Sequence, residues 1–281
     1  MFLLRLISRL PFSVLYAFAN FLFFVGYRVI KYRRDVVWAN LKNSFPDKDN
    51  VALRKIERKF YKNLCDYAME TLKLLTLSRE ELSARMVYKN PGVLQHFANE
   101  NQSVILLTSH QFNWEWLLAS GSFSLPLNID FIYQQQSSSL FDNFLMACRT
   151  RFGAYPVERG QTARESIKRK EITKAIAIIA DQFPNFEKKY WTQFLHQETA
   201  FFLGIGQLTV LLQCPAFFVR CKKMKRGYYE AEIFPLTNPP YEKGSQSVVE
   251  SYATLTEKFI QENPDNWLWS HARWKRKREE S

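Results

Sequence analysis

A histidine and a carboxylate stand five residues apart in Thr108-Ser109-His110-Gln111-Phe112-Asn113-Trp114-Glu115. An imidazole can take a proton from a hydroxyl near neutral pH, and a carboxylate beside it fixes the tautomer and stabilises the imidazolium that forms. Five steps along a continuous helix turn about 140°, so the two would not share a face. They meet if His110 sits in a turn, Asn113 caps the next helix and Glu115 lies in its first turn. Glu115 would then accept a hydrogen bond from Nδ1. Nε2 would remove the proton of a hydroxyl, whose oxygen becomes a nucleophile. Such a base needs neither a serine or cysteine nucleophile nor a metal, and the chain has no G-x-S-x-G and no H-E-x-x-H. Taken alone, the spacing also describes a structural histidine near an unrelated glutamate.

The elements that would position this pair follow from hydrophobic patterning. Ser103–Thr108 (SVILLT) reads as a buried strand ending just before His110, and catalytic groups of open α/β sheets gather at the carboxyl ends of strands. Helices are expected over Asn113–Ser120, Leu140–Thr150 and Val248–Glu262. Strands are expected at Ile129–Tyr133, Tyr155–Val157, Ala216–Lys222 and Tyr228–Phe234, and Ile172–Ala180 ends in a strand delivering Asp181. Upstream, Asp49 and Asn50 could cap an amphipathic helix carrying Leu53, Ile56, Phe60 and Leu64. Alternating strands and helices predict an α/β layered domain. With 47% apolar residues the chain can bury a sizeable core, and only 9 glycines argue against a glycine-rich nucleotide-binding architecture.

Pro11–Ile30 (PFSVLYAFANFLFFVGYRVI) carries Arg28 as its one charge, with Arg5 and Arg9 before it and Lys31, Arg33 and Arg34 after it. About 20 apolar residues suffice to cross a bilayer, and no A-x-A cleavage site follows. A spanning anchor, an interfacial helix and a buried core helix all fit the segment. The denser basic cluster downstream favours a cytoplasmic main domain. The division is therefore an N-terminal anchor over 1–34 and a catalytic domain over 35–281. A net charge of +12 favours anionic partners: nucleic acid, lipid headgroups or an acidic carrier protein. Four cysteines without a C-x-x-C pair read as reduced thiols.

Further motifs follow in order. An asparagine-leucine pair, Asn40-Leu41, lies in YRRDVVWANL; Arg149-Thr150-Arg151-Phe152-Gly153 runs from an arginine to a glycine; Asp181-Gln182 follows an apolar strand; Trp267-Leu268-Trp269-Ser270-His271-Ala272-Arg273-Trp274-Lys275 stands near the C-terminus. With the N-terminal apolar segment and His110-x4-Glu115, this series resembles the lipid A biosynthesis late acyltransferases (lauroyl/myristoyl type) of the glycerolipid acyltransferase superfamily, over nearly the whole chain. The resemblance implies a layered αβα domain with a mixed central sheet and an N-terminal membrane-associated helix. It implies acyl transfer from acyl carrier protein, or from acyl-CoA, to a hydroxyl of a lipid A precursor at the cytoplasmic face of a bacterial inner membrane, with no metal or redox cofactor and no nucleic acid partner.

By the same resemblance His110 and Glu115 are the catalytic pair, and Arg149 stabilises the acyl oxyanion or contacts an acceptor phosphate. Asp181 and Gln182 shape the site, although Asp181 fits a loop cap equally. Arg159 begins a basic run with Arg164, Lys168, Arg169 and Lys170, which is either a solvated helix face or a contact for lipid phosphates or an acidic carrier. His96, His196 and His271 read as structural or exposed, and Lys275–Arg278 as a headgroup contact or a solubilising tail. Two positions depart from the family: His196 stands where glycine is usual, and Gln134 near a common arginine. Both bear on the acceptor, so another lipid acceptor (lysophospholipid, glycolipid or aminolipid) stays open. A non-catalytic basic membrane-binding protein explains the charge but not the ordered motifs.

Overall fold

A computed structural model describes residues 1–184, 188–276 and 278; Lys277 of the C-terminal basic cluster lies outside the described residues. The chain begins with α1 (Phe2–Ser8), α2 (Phe12–Phe23) with a π-helical turn over Phe24–Val29, and α3 (Arg34–Ser44). Pro11 separates the first two because it cannot donate to a preceding turn. The amphipathic helix α4 (Asn50–Lys73) starts at Asp49, whose Oδ1 accepts from the Ala52 N–H at 2.7 Å.

The alternating part follows as α5 (Arg79–Arg85), β1 (Met86–Tyr88), α6 (Gln95–Asn99), β2 (Val104–Thr108), α7 (Trp114–Ser124), β3 (Asn128–Tyr133), α8 (Ser139–Arg149), β4 (Tyr155–Glu158), α9 (Thr162–Lys168) and β5 (Lys174–Ile179). A separate hairpin, β6 (Lys189–Phe194) and β7 (Gln197–Phe202), precedes α10 (Gly204–Leu212), β8 (Ala216–Lys225), β9 (Tyr228–Thr237) and α11 (Ser247–Glu262). Seven strands form one mixed sheet in the order β1-β9-β8-β2-β5-β3-β4, with β8 and β9 antiparallel and the other neighbours parallel.

Helices cover both faces, as strand alternation shows. On β8, Phe217 meets Phe97 of α6, while the next residue, Phe218, meets Tyr252 and Phe259 of α11. The central strand β2 is buried at all five positions, which is why SVILLT is a continuous apolar run rather than an alternating one.

Among the described residues, Phe12–Val29 is the one helical stretch long and apolar enough to cross a membrane. It is packed along one side only. Leu15 and Ala19 are buried, the Tyr16 hydroxyl donates to Glu70 of α4 at 3.0 Å, and Arg226 donates to the Tyr16 carbonyl and to Asn20. Phe18, Phe21, Leu22 and Phe24 are exposed, as are Phe2, Leu3 and Leu6 of α1.

Candidate active site

The loop after β2 carries His110, and α7 begins where Asn113 caps it, with Oδ1 accepting from the Trp116 N–H at 3.1 Å. The Asn113 amide donates in turn to buried Glu70 at 2.9 Å. Glu115 therefore lies in the first turn of α7, as its spacing requires. The imidazole nevertheless meets a different carboxylate. His110 Nδ1 is 2.5 Å from Asp181 Oδ1, and Asp181 Oδ2 accepts from the His110 backbone N–H at 2.8 Å and from the Trp267 indole at 2.6 Å. The Nδ1 contact expected for Glu115 is thus made by Asp181. Sheet register explains the difference: β2 and β5 are parallel neighbours with Thr108 opposite Ile179, so the residues two places beyond each emerge side by side.

Glu115 has its own partner. Arg149, in the last turn of α8, donates from Nε to Oε2 at 2.8 Å and from Nη2 to Oε1 at 2.5 Å, a bidentate grip on a buried carboxylate. Burial opposes the Arg149 charge, but Glu115 outweighs it and raises the guanidinium pKa above its ordinary value. Nη1 makes no hydrogen bond among the described residues.

The tautomer of His110 follows from the state of Asp181. Burial pushes that carboxyl up, but His110 and the Trp267 indole together outweigh burial and hold it at about 2. An ionised carboxylate only accepts, so Nδ1 is the donor of this pair, which leaves Nε2 as the ring nitrogen for the cavity. The Gln182 amide nitrogen is 3.3 Å from that Nε2, in position to donate to it. Among the described residues no three His, Cys, Asp or Glu side chains converge as metal ligands would.

His110, Glu115, Arg149 and Gln182 line one cavity of about 1100 Å³. Its mouth is polar, with Arg33, Gln134, Gln136, Glu158 and Arg159. Its deep part runs between α7 and the sheet, among Tyr88, Leu106, Leu117, Leu125 and Ile129. Gly121 of α7 closes against this end: a Cβ there would come within 2.8 Å of the Tyr88 hydroxyl and 3.0 Å of Ile129. Arg159 stands at the mouth, 5.9 Å from the Phe202 ring. The rest of its basic run is elsewhere. Arg169 is held by Asp130 at 3.0 Å and lies over Tyr155, Lys168 pairs with Glu165 and Lys170 with Glu171, and Arg164 is exposed. His196 sits exposed at the tip of the β6–β7 hairpin, outside the cavity lining, whereas Gln134 belongs to the lining.

Sequence reasoning missed how the C-terminal block builds the site. Asn266–Leu268 runs antiparallel beside the His110 loop: Phe112 N–H donates to the Asn266 carbonyl at 2.9 Å and Leu268 N–H to the His110 carbonyl at 3.1 Å. Asn40, of the asparagine-leucine pair, holds that block by donating to the carbonyls of Trp269 and His271. His271 is half-buried in the cavity wall, and burial with the nearby Arg273 pushes its pKa down to about 4, so it is neutral at pH 7. The signal was present in the tryptophan-rich block, but not its neighbour in space.

Compared with known families, the chain matches bacterial lipid A biosynthesis acyltransferase over residues 1–276. No curated relative matches it.

Proposed function

The chain belongs to the bacterial lipid A biosynthesis acyltransferase family, and from that premise we propose that it acylates a hydroxyl of a lipid A precursor with His110 as general base. Membership makes it a membrane-associated, acyl-transferring enzyme with an acyl donor and a lipid acceptor. The observation that carries the mechanism is the placement of His110 in the wall of a large cavity with Asp181 holding its Nδ1, which leaves Nε2 for an acceptor hydroxyl.

The steps balance around that nitrogen. Nε2 takes the acceptor hydroxyl proton as the oxygen bonds to the thioester carbonyl carbon. Asp181 stabilises the imidazolium. The tetrahedral oxyanion collapses, the C–S bond breaks, and the leaving thiolate takes the proton back from Nε2, giving an ester and a free thiol. A covalent acyl-cysteine is disfavoured: burial pushes Cys148 and Cys221 up to about 12, where little thiolate exists at neutral pH.

Arg149 and Glu115 form the second charged pair of the site. The free Nη1 of Arg149 suits the developing oxyanion or an acceptor phosphate, and Glu115 fixes the guanidinium for that task. The apolar depth of the cavity suits the acyl chain, where each buried methylene contributes about 0.8 kcal/mol. Acyl carrier protein is the donor we favour, because the basic surface suits an acidic carrier. We place the reaction at the cytoplasmic face of the inner membrane, with residues 1–34 as the membrane element and 35–281 as the catalytic domain.

The test is acyl transfer by membranes containing the protein, with acyl carrier protein thioesters and a lipid A precursor. His110→Ala, Asp181→Asn and Glu115→Ala are assayed beside the native enzyme. Transfer by the native enzyme and its loss in His110→Ala is expected. A folded, membrane-bound native enzyme that leaves this acceptor untouched would overturn the assignment and direct the search to lysolipids, glycolipids and aminolipids.

A further inference from the structure

A second, open cavity of about 630 Å³ lies beside the N-terminal helices, lined by Tyr27, Arg28, Arg34, Arg54 and a row of α4 cations. It shares no lining residue with the catalytic cavity; the chain turn between them sends Tyr32 and Arg33 to one and Arg34 to the other.

The row on α4 is Lys55, Arg58, Lys59 and Lys62, at steps of three and four that set all four on one helix face. Fully buried Glu57 is the carboxylate beneath, and it is already engaged by Arg34 at 3.1 Å, Arg54 at 2.8 Å and the Tyr27 hydroxyl at 3.2 Å. Arg28 and the four α4 cations are exposed and form no ion pair among the described residues. Like charges at these spacings repel, so the arrangement is unfavourable until an anion joins it.

Position says which anion. The cation cluster abuts apolar surface that faces outward. Lys62 Nζ lies 5.7 Å from the ring of Phe23, which stacks on Tyr27, and Phe21, Leu22, Phe24, Val29 and Ile30 are exposed on the same helical segment. Apolar side chains reaching into the acyl boundary with basic groups beside them at headgroup level are the arrangement of an interfacial anchor.

We propose that this cavity binds the phosphate of an anionic phospholipid of the surrounding bilayer, a lipid distinct from the acylated one, and so seats the N-terminal helices on an anionic membrane surface. The proposal rests on the membrane association of the family and is independent of which lipid accepts the acyl group.

Vesicle flotation of the purified full-length protein tests it, with phosphatidylcholine vesicles and with vesicles also containing phosphatidylglycerol. Each basic group near an anionic surface contributes about fivefold in partitioning. The Arg58→Gln/Lys59→Gln/Lys62→Gln variant should therefore lose on the order of a hundredfold of its preference for the anionic vesicles. Binding to neutral vesicles through the exposed phenylalanines should persist, and a melting curve checks the fold. Lys62→Gln alone carries the same test at about fivefold, should the triple variant unfold. An unchanged preference in both variants overturns the proposal. So does release from anionic vesicles by millimolar inorganic phosphate at constant ionic strength, which would mark a site for free phosphate. Unchanged vesicle binding with a raised KM for the carrier-protein thioester would assign the cavity to the carrier, and with a raised KM for the acceptor, to the acceptor. Failure of lipid A acylation in the native enzyme would leave the flotation result standing.

Discussion

The site holds two buried carboxylates, each gripped at short range by a cation-forming partner, and they are not equivalent. Asp181 is paired with an imidazole that can gain and lose a proton and whose other nitrogen faces the cavity. Glu115 is paired with a guanidinium that stays charged and whose Nε and Nη2 are both occupied. The first pair suits proton transfer; the second suits a fixed positive field. A carboxylate in an active site thus takes its role from the titration of its partner as much as from its own.

Mutation of His110 gives the sharpest contrast. His110→Ala should lower acyl transfer by about 10³-fold or more if the proposed base is the one that acts. Asp181→Asn should cost about 10²- to 10⁴-fold, because an amide no longer enforces the tautomer with its proton on Nδ1. Steady-state rates on purified variants check both. Near-native activity in Asp181→Asn would collapse the distinction between the two pairs.

Next comes the Glu115–Arg149 pair. Glu115→Gln should destabilise the fold by about 3–5 kcal/mol, measured by denaturant unfolding, because a buried guanidinium loses its counter-charge. Adding Arg149→Met should restore much of that stability without restoring activity. Recovery of activity in the double variant would mean that the pair only supports the fold.

The Asp181 pair also predicts a pH effect. Its carboxyl is held at about 2, below the ordinary value of 3.8. Folding is therefore stabilised fully above about pH 4, and the contribution, about 2 kcal/mol, is lost as pH falls toward 2. Unfolding free energies between pH 5 and 2 should steepen for the native chain relative to Asp181→Asn in roughly this window. The smallest effect belongs to Gly121→Ala. Its methyl would press Tyr88 and Ile129 into the deep end of the cavity and shift preference toward shorter acyl donors. Competition between thioesters of different length measures this, and an unchanged preference would place the acyl end elsewhere.

Much of this was legible in the chain. SVILLT and the apolar run before Asp181 gave β2 and β5 within two residues of their limits, and the Asn113 cap gave the start of α7, which runs four residues past the expected end to Ser124, because local patterning controls them. The identity of the histidine's partner was not legible. It depends on β5 lying next to β2, an adjacency that no local signal encodes, whereas the nearby Glu115 offered a partner by proximity in sequence. The hairpin β6–β7 was also missed. Its turn is Leu195-His196, both with left-handed backbone (φ 51° and 61°), and neither is the asparagine or glycine that announces such a turn. His196 occupies that left-handed turn outside the cavity lining, so the residue expected to bear on the acceptor lies away from the cavity.

The antiparallel contact between Asn266–Leu268 and His110–Phe112 bears on the order of events during synthesis. The His110 loop leaves the ribosome long before the segment that ties down its backbone. A nascent chain therefore holds its imidazole unsecured until Asn266–Leu268 has emerged and folded back against it. The pair of His110 with Asp181 thus gains its Trp267 hydrogen bond only after all seven strands of the sheet have been synthesised.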